Sequence, residues 1–410
     1  TPVSAPKWLA WNTQLAEQLG WPEHWGHNDS TLNTLAGNTQ FEGSKPGAAA
    51  YAGHQFGNYN PQLGDGRAIL LGEWRRPDGQ LLDIQLKGAG PTPYSRGGDG
   101  RSPIGPVVRE YLMSEAMYAL GIPTTRALAA VATGDPVYRQ QLEPGAILTR
   151  VAKSHIRIGT VQFFAMTRQG AGLNELVTYV TERHYLGALE KARQLDPEAT
   201  HAQVLLNEVT RALASLVAHW QALGFIHGVL NTDNMLLCGE TVDYGPCAFM
   251  DTFAAGQVFS SIDTGGRYAF GNQPGIVHWN LSVLAQCLLP LLNEDQDKAL
   301  ALAQDSVDQF PSLFTEIYSA RLAAKFGLDA MRETDHALIE SFFNQLEKDK
   351  LDFTLAFRWL TEVANASLEG TILEELFIPS DGLLNWQEQW SQRRDQATPA
   401  SSTRMKKANP

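Results

Sequence analysis

Residues 227–251 read HGVLNTDNMLLCGETVDYGPCAFMD. This stretch holds one histidine, His227, three aspartates, Asp233, Asp243 and Asp251, and two asparagines, Asn231 and Asn234, with little side-chain bulk around them. It follows a helical pattern and reads as a loop, a short hairpin and a second loop. Carboxylate and amide oxygens are hard ligands. Grouped on loops between rigid elements, they suit Mg²⁺ or Mn²⁺ bound together with nucleotide phosphates.

The spacing narrows this further. In the protein-kinase catalytic loop a metal-binding Asn lies seven residues after the His, and an Asp-Phe-Gly triplet follows with a second metal ligand. Asn234 lies seven residues after His227, and Asp243-Tyr244-Gly245 follows. A kinase carries its base two residues after the His, where this chain has Val229. An aliphatic side chain cannot accept a proton. The stretch is therefore either a silent kinase site or a site of different chemistry.

Composition bounds the rest. The chain has 410 residues, 43% of them hydrophobic, enough for one two-lobed enzyme or two to three domains. Its net charge of -12 argues against nucleic acid as a partner, since phosphate backbones demand a basic face. Three cysteines, Cys238, Cys247 and Cys287, form neither a disulfide framework nor a zinc spacing. A reducing, cytoplasmic setting is the expectation. No secretory leader opens the chain and no apolar run reaches membrane-span length, so no membrane partner is expected.

Upstream, four tryptophans, Trp8, Trp11, Trp21 and Trp25, mark a helical opening that anchors on a core. YAGHQFGNYN (51–60) reads as a structured loop, with His54 as a structural histidine. Strands follow at Ala68–Trp74 and Leu81–Lys87, joined by a turn at Pro77-Asp78-Gly79. Lys87, ending the second strand, is the candidate phosphate-binding lysine. GDGR occurs twice, at 64–67 and 98–101, and its backbone N–H groups could form an anion-binding nest. Pro106 fits the first turn of a helix running through 107–120. Glu110 and Glu115 on it are both candidates to pair with Lys87, because a buried lysine needs a partner to stay charged and aimed.

Short β segments at Ala127–Thr133, Val137–Gln141 and Ala146–Val151 lead to TRVAKSHIRIGT (149–160), where Arg150 and Arg157 flank Lys153 and His155. A guanidinium fork matches phosphate oxygens bidentately. From residue 173 the chain turns helical. An apolar stripe of Val209, Leu213, Leu216, Val217 and Trp220 runs into His227. A Gly- and Ser-rich stretch reaches Asn272, helical patterns run to about Trp390, and the polar tail 391–410 reads as a flexible or truncated end.

Five ordered blocks converge: QLKGAGPTPYSRGGDGR (85–101), VREYLMSEAM (108–117), HGVLNTDN (227–234), DYGP (243–246) and GRYAFGNQPGIVHWNL (266–281). Together they resemble the selenoprotein O family, strongly over residues 50–290. The resemblance implies an α+β, two-lobed protein-kinase-like fold. Its parts would be an N-terminal extension at 1–49, a small lobe at 50–155, a mostly helical large lobe at 156–395 and a tail at 396–410. The family was long classed as pseudokinase because it lacks the kinase base. The activity implied is protein AMPylation, in which AMP moves from ATP to a Ser, Thr or Tyr hydroxyl with release of pyrophosphate. UMP transfer from UTP is also attributed to bacterial members.

Carried onto this chain, the resemblance makes Lys87 a phosphate-binding residue paired with Glu110, and sets Arg150 and Arg157 on the terminal phosphate. Gly64, Gly66, Arg67, Asp99 and Gly100 match further nucleotide-contacting positions. Asn234 and Asp243 would bind Mg²⁺ or Mn²⁺, and Asp233 would be the base. Family members bind ATP end for end relative to a kinase, so that the α-phosphorus meets the acceptor. Two departures stand out. Ser260 occupies the neighbourhood where the family often has a redox-active Cys, and the chain ends at RMKKANP (404–410), where members usually continue into a segment bearing its partner. A kinase-type phosphotransferase and a silent nucleotide-binding scaffold are the alternatives. Val229 and the two arginines speak against the first, and retention of Lys87, Asn234 and Asp243 against the second.

Overall fold

A computed structural model describes residues 1–394 and 398–410. The chain divides into two compact units of mixed α and β structure. The first comprises residues 1–209, 231–245 and 280–306, and the second residues 210–230, 246–279 and 307–410.

The first unit opens with strand β1 (Lys7–Trp11), helices α1 (Thr13–Gln18) and α2 (Asp29–Leu35), and a small hairpin of β2 (Gly53–Gln55) and β3 (Asn58–Asn60). Strands β4 (Ala68–Arg75), β5 (Leu81–Lys87) and β6 (Ser102–Pro103) precede helix α3 (Ile104–Ala119), and β7 (Arg126–Tyr138) and β8 (Leu142–Ala152) complete the sheet. That sheet is antiparallel in the order β1-β7-β8-β5-β4, with β6 beside β8. The opening expected as helical thus begins as an edge strand. The two segments expected at 127–133 and 137–141 fuse into β7, because Gly134-Asp135-Pro136 makes a register shift where the sequence suggests a turn.

Side chains alternate along β5, and the alternation sorts the unit. Leu82, Ile84 and Leu86 face a core shared with Leu128, Val131 and Ile147 and with Leu15, Leu19, Trp21 and Leu35 from the N-terminal residues. Trp21 sits within an aromatic cluster, its ring 5.0 Å from that of Trp25 and 5.4 Å from that of Trp74. Asp83, Gln85 and Lys87 point to the opposite face and are also buried, so each needs a polar partner there. Helices α4 (Ile158–Met166) and α5 (Gly170–Leu195) follow, then α6 (His201–Leu223).

In the second unit β9 (Phe225–Ile226) pairs with β10 (Ala248–Phe249). This pairing replaces the hairpin expected inside 227–251. His227 is buried. Its N–H donates to Gln273 Oε1 at 2.9 Å and its ring lies 5.6 Å from that of Trp220. Helix α7 (Gln273–Leu292) begins in this unit; its remainder and α8 (Gln296–Val307), apart from the last residue of α8, count with the first unit, and α9 (Gln309–Lys325), α10 (Asp335–Asp349), α11 (Phe353–Ala364), α12 (Ile372–Leu376), α13 (Asp381–Arg394) and α14 (Pro399–Ala408) belong to the second. Phe326, Phe342, Phe353, Phe357, Trp386 and Trp390 form the centre of this unit. Of the polar tail, 395–397 lie outside the described residues, and the part from 398 on is structured. Met405 on α14 is buried, and the Asn409 amide donates to the Lys325 carbonyl and Thr361 Oγ1, both at 2.9 Å. Phe270–Leu292 is long and apolar enough to cross a membrane by length and composition, against expectation, but half of its most apolar window is buried in the fold, as in a core helix.

Candidate active site

Lys87 ends β5 with its ammonium 2.6 Å from Glu110 Oε2 and 2.6 Å from Asp243 Oδ1. Residues separated by 156 positions in sequence therefore meet at one nitrogen. Glu110 reaches it from α3. Of the two glutamates left open by the sequence, the structure selects this one. Glu115 instead forks onto Arg126, at 2.9 Å and 2.7 Å.

The other Glu110 oxygen accepts from both Nε and Nη2 of Arg150. Arg150 Nη1 donates to Gln85 Oε1 at 3.1 Å, across the β5–β8 pair that sets Gln85 opposite Arg150. Burial by itself would raise the Glu110 carboxyl. Arg150 and Lys87 override that and hold it below the usual carboxylate range. Lys87, with help from Arg150, likewise holds Asp243 far below its ordinary value, so it is ionised throughout the physiological range. Asp243 adopts φ +66°, a left-handed conformation uncommon outside glycine. Its side chain is 33% exposed.

The network continues through a residue absent from the candidate set. Asp65, inside the first GDGR, is buried. It accepts from Gln85 Nε2 at 3.2 Å, Tyr51 Oη at 3.2 Å and Arg157 Nη2 at 3.3 Å. Arg157 also donates to the Asp233 carbonyl at 2.8 Å and lies 4.4 Å over the Tyr51 ring. Burial opposes its charge, but Tyr51, Asp65 and the nearby aspartates hold its proton more firmly than usual. Gly64 takes φ +69°, and a Cβ there would fall 2.2 Å from Tyr94 Cγ. Gly66 lies under the same turn, its carbonyl accepting from Ser95 Oγ. Arg67 is exposed, on the approach to β4.

The second GDGR has a different fate. Asp99 is exposed and pairs with Arg139 at 2.8 Å. Gly100 closes against Gly90, its carbonyl accepting the Gly90 N–H at 3.1 Å. The structure thus joins Lys87, Glu110, Arg150, Arg157, Asp233 and Asp243 with Asp65 and Gln85 through linked contacts. Asp99 is held in a separate surface pair.

Asp233 and Asn234 lie on a buried single-turn 3-10 helix, Thr232–Asn234. The β2–β3 hairpin is bound to it. The His54 N–H donates to Thr232 Oγ1 at 2.8 Å, the Phe56 N–H to Asn231 Oδ1 at 3.2 Å, and Gln55 Nε2 to Asp233 Oδ2 at 3.4 Å. Asp233 Oδ1 is buried with no hydrogen-bond partner among the described residues, and a Cβ on Gly53 would come 2.6 Å from it. Burial raises the Asp233 carboxyl to about 6, opposed in part by Arg157. A carboxylate at that value is ionised at neutral pH and basic enough to take a proton. His54 bonds Gln162 at 2.9 Å.

No group of three or more His, Cys, Asp or Glu suited to a metal occurs among the described residues. Asn234 and Asp243 offer an amide oxygen and an ionised carboxylate with one oxygen beyond the Lys87 contact. Hard oxygens of this kind are the donors Mg²⁺ or Mn²⁺ takes alongside water and phosphate, whereas zinc cages are built of Cys and His.

The whole chain, residues 1–410, matches the model of the family described as protein adenylyltransferase SelO. A protein named protein nucleotidyltransferase YdiU from Bradyrhizobium diazoefficiens is 50% identical over all of this chain and 82% of its own length. Proteins of the same name from Methylorubrum populi and Bacillus cereus are 49% and 48% identical, covering all of this chain and 83% and 82% of their own lengths. The chain belongs to the SelO family.

Proposed function

We propose that this protein is a nucleotidyltransferase that moves AMP from ATP, or UMP from UTP, onto Ser, Thr or Tyr hydroxyls of proteins and releases pyrophosphate. The fold we infer is that of a protein kinase, with the nucleotide reversed in its site. The observation that carries the reading is the continuation of the Lys87–Glu110–Asp243 cluster into two further buried guanidinium groups, Arg150 and Arg157. A kinase, which presents its γ-phosphate to the acceptor, has no use for them. A reversed nucleotide needs cations deep in the site for that phosphate, and Arg150, Arg157 and Lys87 would bind it.

Charge balance supports a metal requirement. Lys87, Arg150 and Arg157 are already matched by Glu110, Asp243 and Asp65. A polyphosphate therefore has to bring its own counter-charge. Asn234 and Asp243 would hold Mg²⁺ or Mn²⁺, which neutralises phosphate oxygens when bound. Asp233 would take the proton from the acceptor hydroxyl as that oxygen bonds to the α-phosphorus. The bond from the α-phosphorus to the bridging oxygen breaks, and pyrophosphate leaves with that oxygen. Phosphoryl-type transfer rests mostly on positioning and electrostatics, so an Asp six residues after the His, in place of the kinase base, can suffice.

The test uses ATP labelled at the α or the γ position, with Mg²⁺ or Mn²⁺ and a mixture of candidate acceptor proteins. Label transfer from the α position alone is expected, with ADP a poor donor because it lacks the phosphate that Arg150 and Arg157 would hold. Transfer from the γ position would return the phosphotransferase reading. The donor comparison is preferred to replacing Arg150, whose loss would also release Glu110.

A further inference from the structure

Four consecutive residues of the β2–β3 hairpin each meet the turn that carries Asp233. The Phe56 N–H donates to Asn231, the His54 N–H to Thr232, and Gln55 Nε2 to Asp233 Oδ2. Gly53 comes closer than any other residue type could. A Cβ there would lie 2.6 Å from Asp233 Oδ1 and 3.0 Å from Asp233 Cβ. Backbone packs on backbone around this point. The Ala52 N–H donates to the Gly159 carbonyl at 2.9 Å, and a Cβ on Gly159 would run into the Ala52 carbonyl oxygen and lie 3.3 Å from Asp233 Cα. The hairpin is itself anchored. Its turn residues, Phe56 and Gly57, take φ +52° and +82°, the left-handed pair of a two-residue hairpin turn. A phenylalanine is uncommon in that region, and the bond from its N–H to Asn231 fastens it there. The His54 ring lies 2.9 Å from Nε2 of Gln162, a fully buried residue of α4.

The two oxygens of Asp233 are thereby made different. Oδ1 is buried against Gly53. Oδ2 is the oxygen left to meet an acceptor hydroxyl, and Gln55, a half-buried side chain, holds it at 3.4 Å. Arg157 fixes the Asp233 carbonyl at 2.8 Å, which sets the backbone but not the rotation of the side chain. Proton transfer needs the accepting oxygen within hydrogen-bond reach of the hydroxyl and aligned with it. Gly53 and Gln55 are the residues that restrict that rotation.

With Asp233 as the base of the transfer reading above, we propose that the β2–β3 hairpin aims it: Gly53 seals Oδ1, and Gln55 is the positioning residue that turns Oδ2 toward the acceptor hydroxyl. Gln55→Leu keeps most of the side-chain bulk and removes the amide. With α-labelled ATP, Mg²⁺ and the mixture of candidate acceptor proteins, it should lower kcat about tenfold or more. KM for ATP, and the calorimetric affinity for a non-hydrolysable ATP analogue, should stay within about twofold of the wild type. A residue that only supported the fold would lower the melting temperature or move both constants together. Gly53→Ala, at a φ outside the left-handed region, displaces the carboxylate and should give the same split with a kcat loss of about a hundredfold. The two variants act on one carboxylate from different sides, so if one melts early the other decides. Transfer by a folded Gln55→Leu or Gly53→Ala chain at the wild-type kcat, or a loss confined to KM for ATP, would overturn the positioning role and leave the AMP-transfer reading intact. A wild-type chain that transfers no α-label would overturn that reading and this assignment with it.

Discussion

Asp233 concentrates the chemistry and its cost in one side chain. Burial raises its carboxyl to about 6 from an ordinary value of 3.8. The folded chain therefore holds this proton more tightly than the unfolded chain does. The contribution of Asp233 to stability is greatest below pH 4, falls as pH climbs from about 4 to 6, and stays low above that. Asp233→Asn, neutral throughout, should be more stable than the wild type at pH 8 by roughly 2–3 kcal/mol, with the gain gone by pH 4. Denaturant melts at the two pH values check this. The same variant should lose transfer activity, and the wild-type kcat/KM should fall below about pH 6. A stability gain equal at both pH values would show that the site is not set by this ionisation. Legibility at this scale followed motif spacing. Asn234 and Asp243 were candidates by their offsets from His227 and Lys87 by its place at a strand end, whereas Glu110 shared its candidacy with Glu115. Asp65, Gln85 and Gln55 could not be picked out, because their roles come from partners 14 to 178 residues away. The one available signal was the repeated GDGR, and it pointed equally to a buried Asp65 and an exposed Asp99.

Helix α3 shows what a periodic pattern can and cannot decide. Glu110 and Glu115 lie five positions apart, about 140° around a helix of 3.6 residues per turn, so they cannot serve the same partner. The sequence says that much but not which glutamate turns toward Lys87. The choice follows from the helix's docking on the sheet, where Val107 packs against Ala127, Ala130 and Leu148. The two carboxylates then have separable jobs. Glu110→Gln removes the counter-charge shared by Lys87 and Arg150 and should reduce transfer by about a hundredfold or more. Glu115→Gln breaks the fork to Arg126 that ties α3 to β7. It should lower the melting temperature, at a cost of about 1–3 kcal/mol, with most activity retained at a temperature where the protein is folded. Equal activity losses in both variants, measured on protein shown to be folded, would mean that α3 acts only as a scaffold. The strands offer the same lesson. Leu81–Lys87 was legible to the residue because a turn brackets it, whereas β7 was split in expectation by a Gly-Asp-Pro that the sheet absorbs as a register shift.

At the scale of the molecule, the N-terminal residues belong to the architecture that aims Lys87. Val3, Leu15, Leu19, Trp21, Leu32 and Leu35 are buried against the apolar face of the sheet, the face that also holds Leu82, Ile84 and Leu86 of β5. The polar face of β5 can present Lys87 only if the apolar face is covered, because strand alternation fixes the two together. The tryptophans announced an anchor in the sequence. That β1 would join the sheet as an edge strand beside β7 was hidden, since a five-residue strand has too few positions to distinguish its period from that of a short helix. Deleting residues 1–45 should therefore uncover β7 and the apolar side of β5 at once. An exposed hydrophobic strand edge of that kind aggregates. The shortened chain should form soluble aggregates or inclusion bodies, bind a hydrophobic dye strongly, and lose transfer activity together with its cooperative melt. Trp21→Ala, the milder version, should cost about 3–5 kcal/mol and leave activity intact below its lowered melting temperature. A truncated chain that stays monodisperse, melts cooperatively and still transfers the α-labelled nucleotide would show that the sheet holds Lys87 in place without this layer.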